Sequence, residues 1–547
     1  MFLRTHTVEG RTYLLLVENE RVDGKVTQRV VQRFGRLDQL RESGQLDTIV
    51  AGLGRFSERL LVLGAHERGE SLHASTRRIG GPLVFERLWE TSGIGAVLRD
   101  LAADRHFGFS LERAVWLTVL HRLLAPGSDR AAERWKEDYA IAGVDHLKLY
   151  QLYRAMAWLG RPLKDQAGAT PFAPRTMKDR IEEALFAHRR DLFTTLDLVF
   201  FDTTSIYFEG EGGETVGQYG HSKDHRPDRK QMIVGLAIDA DGHPLCCELW
   251  PGNATDVKSL VPIVDRLRTR FPVREVCIVA DRGMISQAVV DEIEGREGWS
   301  YILGVRMRAV KAMRALVARD AGPYEVVFPR TKDPKGPAPL KVRAVEVDGR
   351  EYVLCVNEDE ATKDRHDREA IVAALQDALR AGDTSLVGNK GYRRYLKSTG
   401  HRFEIDEDKI AAEARYDGKW VLTTNTGLDA RTTALAYKHL WMVEALFRSM
   451  KSILETRPVY HKCDETIRGH VFCSFLALVL RKELEDRLAA RTWKLEWQDI
   501  LRDLERLEEV AVTVDQKGYI LRTDPQGTIG KVFQAAGAAL PPVIRPA

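Results

Sequence analysis

The chain has few cysteines, and their spacing matches neither a zinc site nor a disulfide framework. Six cysteines occur among 547 residues, and no two of them form a Cys-x2-Cys pair. Cys246 and Cys247 are adjacent, whereas the other four are scattered. This pattern argues against a zinc-ribbon protein and against a small secreted disulfide scaffold, and it predicts buried, reduced thiols.

Long apolar runs, a large net charge and a nucleotide-binding loop are also missing. The longest apolar stretch lies near 472–480, far short of the roughly 20 residues that cross a bilayer. No apolar core of signal-peptide length occurs at the N-terminus, so we expect a cytoplasmic protein without membrane contact. With 82 basic and 79 acidic residues the net charge is only +3, which neither requires nor excludes nucleic acid. No Gly-x4-Gly-Lys-Ser/Thr motif occurs, so we expect no nucleotide cofactor.

Length and the order of predicted elements divide the chain into several regions. A chain of 547 residues is several times longer than a typical domain. Alternating and helical apolar patterns change near 80, 193, 310, 431 and 491. The expected regions are a small β-containing region at 1–80, a helical region at 81–192, an α/β domain at 193–309 plus 431–490, a β-rich insertion at 310–430 and a helical tail at 491–547.

The α/β region begins with three strands and continues with alternating strands and helices. The predicted strands lie at 196–208, 231–239, 244–250, 274–281 and 299–305. This order predicts a mixed sheet with helices on both faces. It is the element order of the ribonuclease H fold, which requires one further helix. A strong helical pattern at about 432–454 supplies that helix after the β-rich insertion, so we predict a ribonuclease H-like α/β fold preceded by an N-terminal β and helical region.

Three acidic residues occupy informative places in this order. Asp202 follows an apolar run in the first strand, Asp281 ends the fourth strand, and Glu444 lies in the late helix. Each has an ordinary alternative. Asp202 could be a turn residue, and Asp281 could cap a helix or pair with Arg282. Glu444 could form an i,i+4 pair with Arg448. Together, carboxylates that converge at strand ends suit Mg²⁺, a hard ion with oxygen ligands. Two such ions can catalyse phosphoryl transfer.

The late helix carries a more specific signature. In YKHLWMVEALFRSMK, Tyr437, Glu444 and Lys451 stand at the spacing Tyr-x2-Arg-x3-Glu-x6-Lys, but Leu440 replaces the arginine. FFDTTSIYF and VADRGM resemble the strands of the first and second acids in the same family, and a β-rich insertion before the third acid is typical of this branch. Over roughly 195–480 the chain therefore resembles DDE-type insertion-sequence transposases. Arg448, one turn after the glutamate, is a candidate substitute for the missing arginine.

The resemblance implies an activity and its partners. Asp202, Asp281 and Glu444 would bind two Mg²⁺ ions, with Mn²⁺ as a substitute, and cut a phosphodiester at the end of a mobile element. The freed 3′-OH would then attack DNA, and this branch typically cuts the second strand through a hairpin intermediate. The implied partners are double-stranded DNA, as terminal inverted repeats and target, and a second copy of the chain in a homodimer. The protein would associate with the nucleoid when bound to DNA.

Candidate DNA contacts lie on the late helix and on one loop. By resemblance Tyr437 and Lys451 hold phosphates, although a buried aromatic and a solvated lysine are the ordinary alternatives. The segment at 221–230 joins two strands at the expected active edge and is predicted to bind phosphate, or else to be a solvated turn. The helices within 81–190 either read the element ends or serve packing. The basic residues of the loop are Lys223, Arg226, Arg229 and Lys230.

Two other functional interpretations remain open. A DNA-binding protein derived from a transposase could act as a repressor without chemistry, and the loss of one acid would favour it; all three acids are present. A metal-dependent nuclease would use the same acids but would not join strands. Fold alone does not separate these three functions, because function depends on the site.

Overall fold

The protein is described by a computed structural model that divides the chain into two compact units. The first unit comprises Met1–Val84, Glu137–Ala140 and Leu495–Ala547, and the second comprises Phe85–Lys136 and Ile141–Lys494. The residues that the structure describes are 2–22, 25–54, 73–170, 173–189, 198–254, 265–267, 269–271, 276–281, 286–308, 310–318, 322–330, 337–380, 394–399, 402–514 and 517–547.

Strands and helices alternate along most of the described chain. The strands are β1 Phe2–Val8, β2 Arg11–Val22, β3 Lys25–Arg36, β4 His73–Arg78, β5 Leu198–Tyr207, β6 Gln231–Ile238, β7 Pro244–Pro251, β8 Val276–Ala280, β9 Trp299–Val305, β10 Glu325–Phe328, β11 Leu340–Val347, β12 Arg350–Val356, β13 Leu396–Thr399, β14 Arg402–Ile405, β15 Lys419–Thr424, β16 Glu508–Val514, β17 Lys517–Arg522 and β18 Ile544–Pro546. The α-helices are α1 Leu37–Glu42, α2 Gln45–Gly54, α3 Gly80–Thr91, α4 Ile94–Ala102, α5 Leu111–Leu124, α6 Asp129–Trp135, α7 Leu149–Leu159, α8 Met177–Arg189, α9 Gln287–Glu294, α10 Lys311–Ala318, α11 Glu358–Arg380, α12 Glu407–Ala414, α13 Ala430–Lys438, α14 Trp441–Arg448, α15 Asp464–Ala489, α16 Trp497–Glu505 and α17 Ile529–Ala536.

The first unit contains two antiparallel sheets. Strands β1, β2 and β3 form a three-stranded meander, and a four-stranded sheet has the order β18-β17-β16-β4. The region at 491–547, predicted as a helical tail, therefore also contains strands. Its strand β16 pairs with β4, more than 400 residues earlier, and such a distant partner leaves no local signal in the sequence.

The second unit is built around one large mixed sheet, which confirms that part of the fold prediction. Its order is β10-β11-β12-β15-β9-β8-β5-β6-β7. Strands β5, β8 and β9 are parallel, and the other pairings are antiparallel. Strands from the predicted β-rich insertion extend this sheet, because β15 pairs with β9. The division into five domains stays a prediction, and its boundary at 192–193 lies outside the described residues.

The central strands of this sheet are buried on both faces. Every residue of β6 and β8 is buried, as expected for strands that are apolar on both faces and not alternating. On one face Phe201 packs edge-on against Trp250, with ring centroids 6.3 Å apart, within an apolar core that also includes Ile278 and Ala280. Helix α14 packs over β5 and β6.

The single helix predicted at about 432–454 is divided in the structure. Helix α13 ends at Lys438, helix α14 begins at Trp441, and a π-helical turn covers Ser449–Ile453. Between the helices the chain makes short turns, with the amide of Leu440 bonded to the carbonyl of Tyr437 at 3.1 Å. No glycine or proline marks this break in the sequence. Within the described ranges, no helix combines the length and the apolar character needed to span a membrane.

Candidate active site

Two of the predicted acids are placed by neighbouring parallel strands. Strand β5 pairs with β8 in the register Leu198 with Cys277 through Phe200 with Val279. Continuing this register by two residues sets Asp202 beside Asp281, which directly follows β8. Adjacent strands lie about 4.8 Å apart and residues two apart share a face. Both carboxylates therefore lie at the same edge and on the same face of the sheet.

The third acid comes from the helix that covers this face. Phe200, two residues before Asp202, faces His439 in the turn before α14, with ring centroids 6.1 Å apart. Helix α14 then carries Glu444. Asp202, Asp281 and Glu444 line one cavity of about 450 Å³. The structure thus brings together three residues that are far apart in the sequence.

The electrostatics of Asp202 differ from those of an ordinary surface acid. Its side chain is half-buried, and Oδ1 accepts a bond of 2.7 Å from the amide of Thr203. Burial raises the pKa of the Asp202 carboxyl to about 6; Asp281 and Glu444 add to the rise, and Lys223 opposes it. Among the described residues no salt bridge of these three acids is found, and Lys223 is the nearby positive charge that acts on Asp202.

This arrangement fits a hard divalent cation. Three carboxylates share a cavity, and one neighbouring lysine, Lys223, donates to the carbonyl and hydroxyl of Thr203 at 2.8 and 2.9 Å. Negative charge collected without a matching protein cation is unfavourable unless a ligand neutralises it. Oxygen donors at an open site are those that Mg²⁺ and Mn²⁺ prefer. Asp202, Asp281 and Glu444 can therefore hold such ions.

Tyr437 contacts one of the three acids, whereas Lys451 pairs with a different carboxylate. The hydroxyl of Tyr437 is 2.9 Å from Oδ1 of Asp281, so this tyrosine contacts the site and is not a core aromatic. Lys451 is partly buried, and its ammonium lies 2.7 Å from Asp224, which also pairs with Arg457 at 2.7 Å. Burial lowers the pKa of Lys451, and Asp224 opposes this shift.

The basic residues of the segment at 221–230 are mostly held by neighbouring groups. Arg226 makes two bonds of 2.9 Å to Asp228. Arg229 pairs with Glu209 at 3.0 Å, and Lys230 donates to the carbonyl of Glu211 at 2.9 Å. These are surface contacts of modest strength, so the side chains could exchange them for phosphates.

Other cavity residues were not predicted from the sequence. Arg448 is exposed and does not line the cavity, whereas Leu440, at the position of the missing arginine, is buried and does. Lys438 and Trp441 also line it, and Trp441 is 61% exposed. The one local signal for them is helical spacing, since positions 437, 438, 441 and 444 share a helix face.

The helices within 81–190 were expected either to read DNA or to serve packing. One of them, α5, is buried within the protein. All residues of α5 except Arg113 are buried. Arg122 on this helix donates to the carbonyl of His470 on α15 at 2.6 Å. A helix enclosed in this way cannot enter a DNA groove without unfolding its surroundings.

Comparisons with known proteins identify two matching family models. Residues 194–480, more than half of the chain, match the family described as Transposase DDE domain. Residues 3–68 match the family described as IS1634 family transposase, N-terminal domain. No curated protein matches the chain. The cryo-EM structure of a piggyBac transposase synaptic complex with hairpin DNA is 9% identical, with 78% of this chain and 79% of that chain covered, and its TM-score of 0.36 is too low to support an argument.

Proposed function

The chain belongs to the family of DDE transposases, and from this premise we propose that Asp202, Asp281 and Glu444 are its catalytic residues. The reaction is cleavage of DNA at the ends of a mobile element, followed by strand transfer. The proposal rests mainly on the register of β5 and β8, which aligns Asp202 with Asp281. Glu444 lines the same cavity as these two residues. The raised pKa of the Asp202 carboxyl, to which Asp281 and Glu444 contribute, also supports the proposal.

We also propose that the catalytic fold is ribonuclease H-like. The strand order β7-β6-β5-β8-β9 supports this, with β6 antiparallel to both neighbours and with β5, β8 and β9 parallel. Helix α14, which follows the inserted strands, would be the helix that completes the site. In such a fold the acids belong to the first strand, the fourth strand and this helix.

Two divalent ions, Mg²⁺ or Mn²⁺, would be held by the three carboxylates. When bound, they supply an activated nucleophile and stabilise the leaving oxygen of an in-line displacement. The remaining work falls to positioning by the protein, as is usual in phosphoryl transfer. Tyr437 donates to Asp281 at 2.9 Å and so fixes the orientation of that carboxylate.

The DNA would pass along the basic surface around this cavity. Lys451, held by Asp224, and Lys223, Arg226, Arg229, Lys230 and Arg448 are the proposed phosphate contacts. In the first step water attacks a phosphorus atom, and the bond to the 3′-oxygen breaks to give a free 3′-OH. That hydroxyl attacks a second phosphodiester, on the opposite strand if a hairpin forms or in the target DNA. The new P–O bond replaces the bond to the 3′-oxygen of the attacked strand, which leaves as a 3′-OH, so the number of phosphodiester bonds is unchanged. Two element ends held in one complex favour a homodimer.

A cleavage assay tests this proposal. A labelled duplex that carries the element's own end is incubated with Mg²⁺ and wild-type protein, or with the variants Asp202→Asn, Asp281→Asn and Glu444→Gln. We expect nicking and strand joining by the wild type and a loss of at least about 10³-fold in each variant, or roughly 4 kcal/mol of transition-state stabilisation. Retained DNA binding by the variants shows that they fold. A variant that cuts as well as the wild type would overturn the catalytic assignment, and binding without cutting by the wild type would favour a repressor.

A further inference from the structure

The cavity that holds the three acids must also accommodate a polyanion. DNA carries one negative charge per phosphate, and it would approach carboxylates that repel it wherever metal does not neutralise them. Two lysines near the site are already bonded to the protein. Lys223 donates to Thr203, and Lys451 contacts Asp224.

Lys438 is in a different situation. It is the last residue of α13, lines the cavity and is half-buried. Its ammonium lies 5.5 Å from the ring centroid of Phe328. Burial lowers the pKa of the Lys438 ammonium, and Cys355 acts in the opposite direction. Among the residues that the structure describes, no carboxylate pairs with it.

We propose that Lys438 binds a backbone phosphate of the DNA that occupies this cavity. The inference rests on the proposed function of the site and adds a DNA contact to it. Leu440, two residues later, stands where the family signature has arginine, and it is buried and apolar. Lys438 restores a positive charge to the same cavity wall from a neighbouring position.

The energetics of the lysine support this role. A half-buried ammonium has lost part of its hydration, and an aromatic ring compensates only weakly for it. A phosphate oxygen would provide the charge-assisted hydrogen bond that the described protein groups do not. Phe328, on β10, would hold the lysine stem at the rim of the cavity, so that little side-chain freedom is lost when DNA binds.

The salt dependence of DNA binding isolates this contact from catalysis. Binding of the duplex with the element's end is measured in EDTA over a range of salt concentrations for the wild type and for Lys438→Met, which keeps the aliphatic stem. Each phosphate contact contributes about 0.9 to the slope of log K against log salt concentration. Lys438→Met should make this negative slope shallower by about that amount, and Lys438→Arg should keep the wild-type slope.

A matched control comes from helix α11. This helix contains seven acidic residues and only four lysines and arginines, and its Lys363 is exposed. Because the surrounding acids repel phosphates, Lys363 should not contact DNA. Lys363→Met should leave the slope unchanged, and thermal unfolding checks that each variant folds.

The outcomes separate this inference from the proposed function. A wild-type slope for Lys438→Met, in a protein that cuts DNA with Mg²⁺, overturns the role of Lys438 and leaves the catalytic proposal standing. A lowered slope in a protein that never cuts supports the phosphate contact and contradicts the catalytic proposal. Equal loss of slope in Lys438→Met and Lys438→Arg would also overturn the inference, because charge would then not be the cause.

Discussion

Two groups of charged residues in the second unit are organised in opposite ways. One group is a buried ionic network of six side chains in which three cations pair with three anions. The cations are Lys178, Arg266 and Arg270, and the anions are Asp179, Glu182 and Glu248. The candidate active site collects three carboxylates, and Lys223 is the positive charge that lowers the pKa of one of them, Asp202.

The difference separates a structural role from a ligand-binding role. In the network, burial alone would raise the pKa of Asp179, but Lys178, Arg270 and Arg266 hold it below its usual value. At the active site, burial raises the pKa of Asp202 and neighbouring acids add to the rise. A balanced buried cluster is satisfied by the protein itself, whereas an unbalanced one requires a cation from outside.

The largest expected effect on stability comes from removing one charge of the network. Asp179→Asn leaves three buried cations with two anions, and breaking a buried pair in this way costs about 3–5 kcal/mol. Asp179 accepts hydrogen bonds from Arg266 at 2.6 Å and from the amide of Thr176 at 2.6 Å. The substitution therefore weakens contacts both at the start of α8 and at Arg266. The midpoint of urea unfolding should fall markedly.

The same substitution at the active site provides the contrast. Asp202→Asn removes one of three neighbouring negative charges, so in the absence of metal the unfolding midpoint should stay equal to that of the wild type or rise. Equal destabilisation by Asp179→Asn and Asp202→Asn would show that the two groups are not organised differently.

Divalent metal should stabilise only the unbalanced cluster. A ligand at 100 times its dissociation constant stabilises the folded state by about 2.7 kcal/mol, so Mn²⁺ or Mg²⁺ should raise the unfolding temperature of the wild type. Asp202→Asn should abolish this rise. Lys363→Met serves as the control and should keep it. A rise of the same size in Asp202→Asn would place the metal elsewhere.

The sequence can single out these three acids because their signals are local, and their catalytic role stays a prediction. Asp202 and Asp281 each interrupt or end an apolar strand, and the order of strands and helices decides which strands become neighbours. The large mixed sheet follows from the same local patterns. Helix α14 can be located from its apolar spacing, although the break that precedes it at 439–440 cannot, because no glycine or proline marks it.

The remaining features depend on contacts between distant segments. Lys178, Asp179 and Glu182 look like a solvated helix face in the sequence, and only partners almost 70 to 90 residues later make their burial possible. Helical spacing places Lys438 near Glu444, but its contact with Phe328, 110 residues earlier, leaves no local signal. Single-sequence patterns report which residues are polar, but the charges that surround them are set by tertiary structure.

The smallest predicted effect tests how the protein orients one ligand of the unbalanced cluster. Tyr437→Phe removes the hydroxyl that donates to Asp281 at 2.9 Å. A single hydrogen bond contributes about 0.5–1.5 kcal/mol, so the Mg²⁺ concentration for half-maximal cleavage should rise roughly 2- to 10-fold. Tyr416→Phe, at a ring that lies 4.8 Å from Arg308 and does not itself line the cavity, should change nothing. If Tyr437→Phe weakens DNA binding in EDTA but leaves the Mg²⁺ requirement unchanged, the hydroxyl serves a phosphate and not Asp281. In that case the three carboxylates would hold metal without support from this tyrosine, and the contrast with the charge-balanced network becomes sharper.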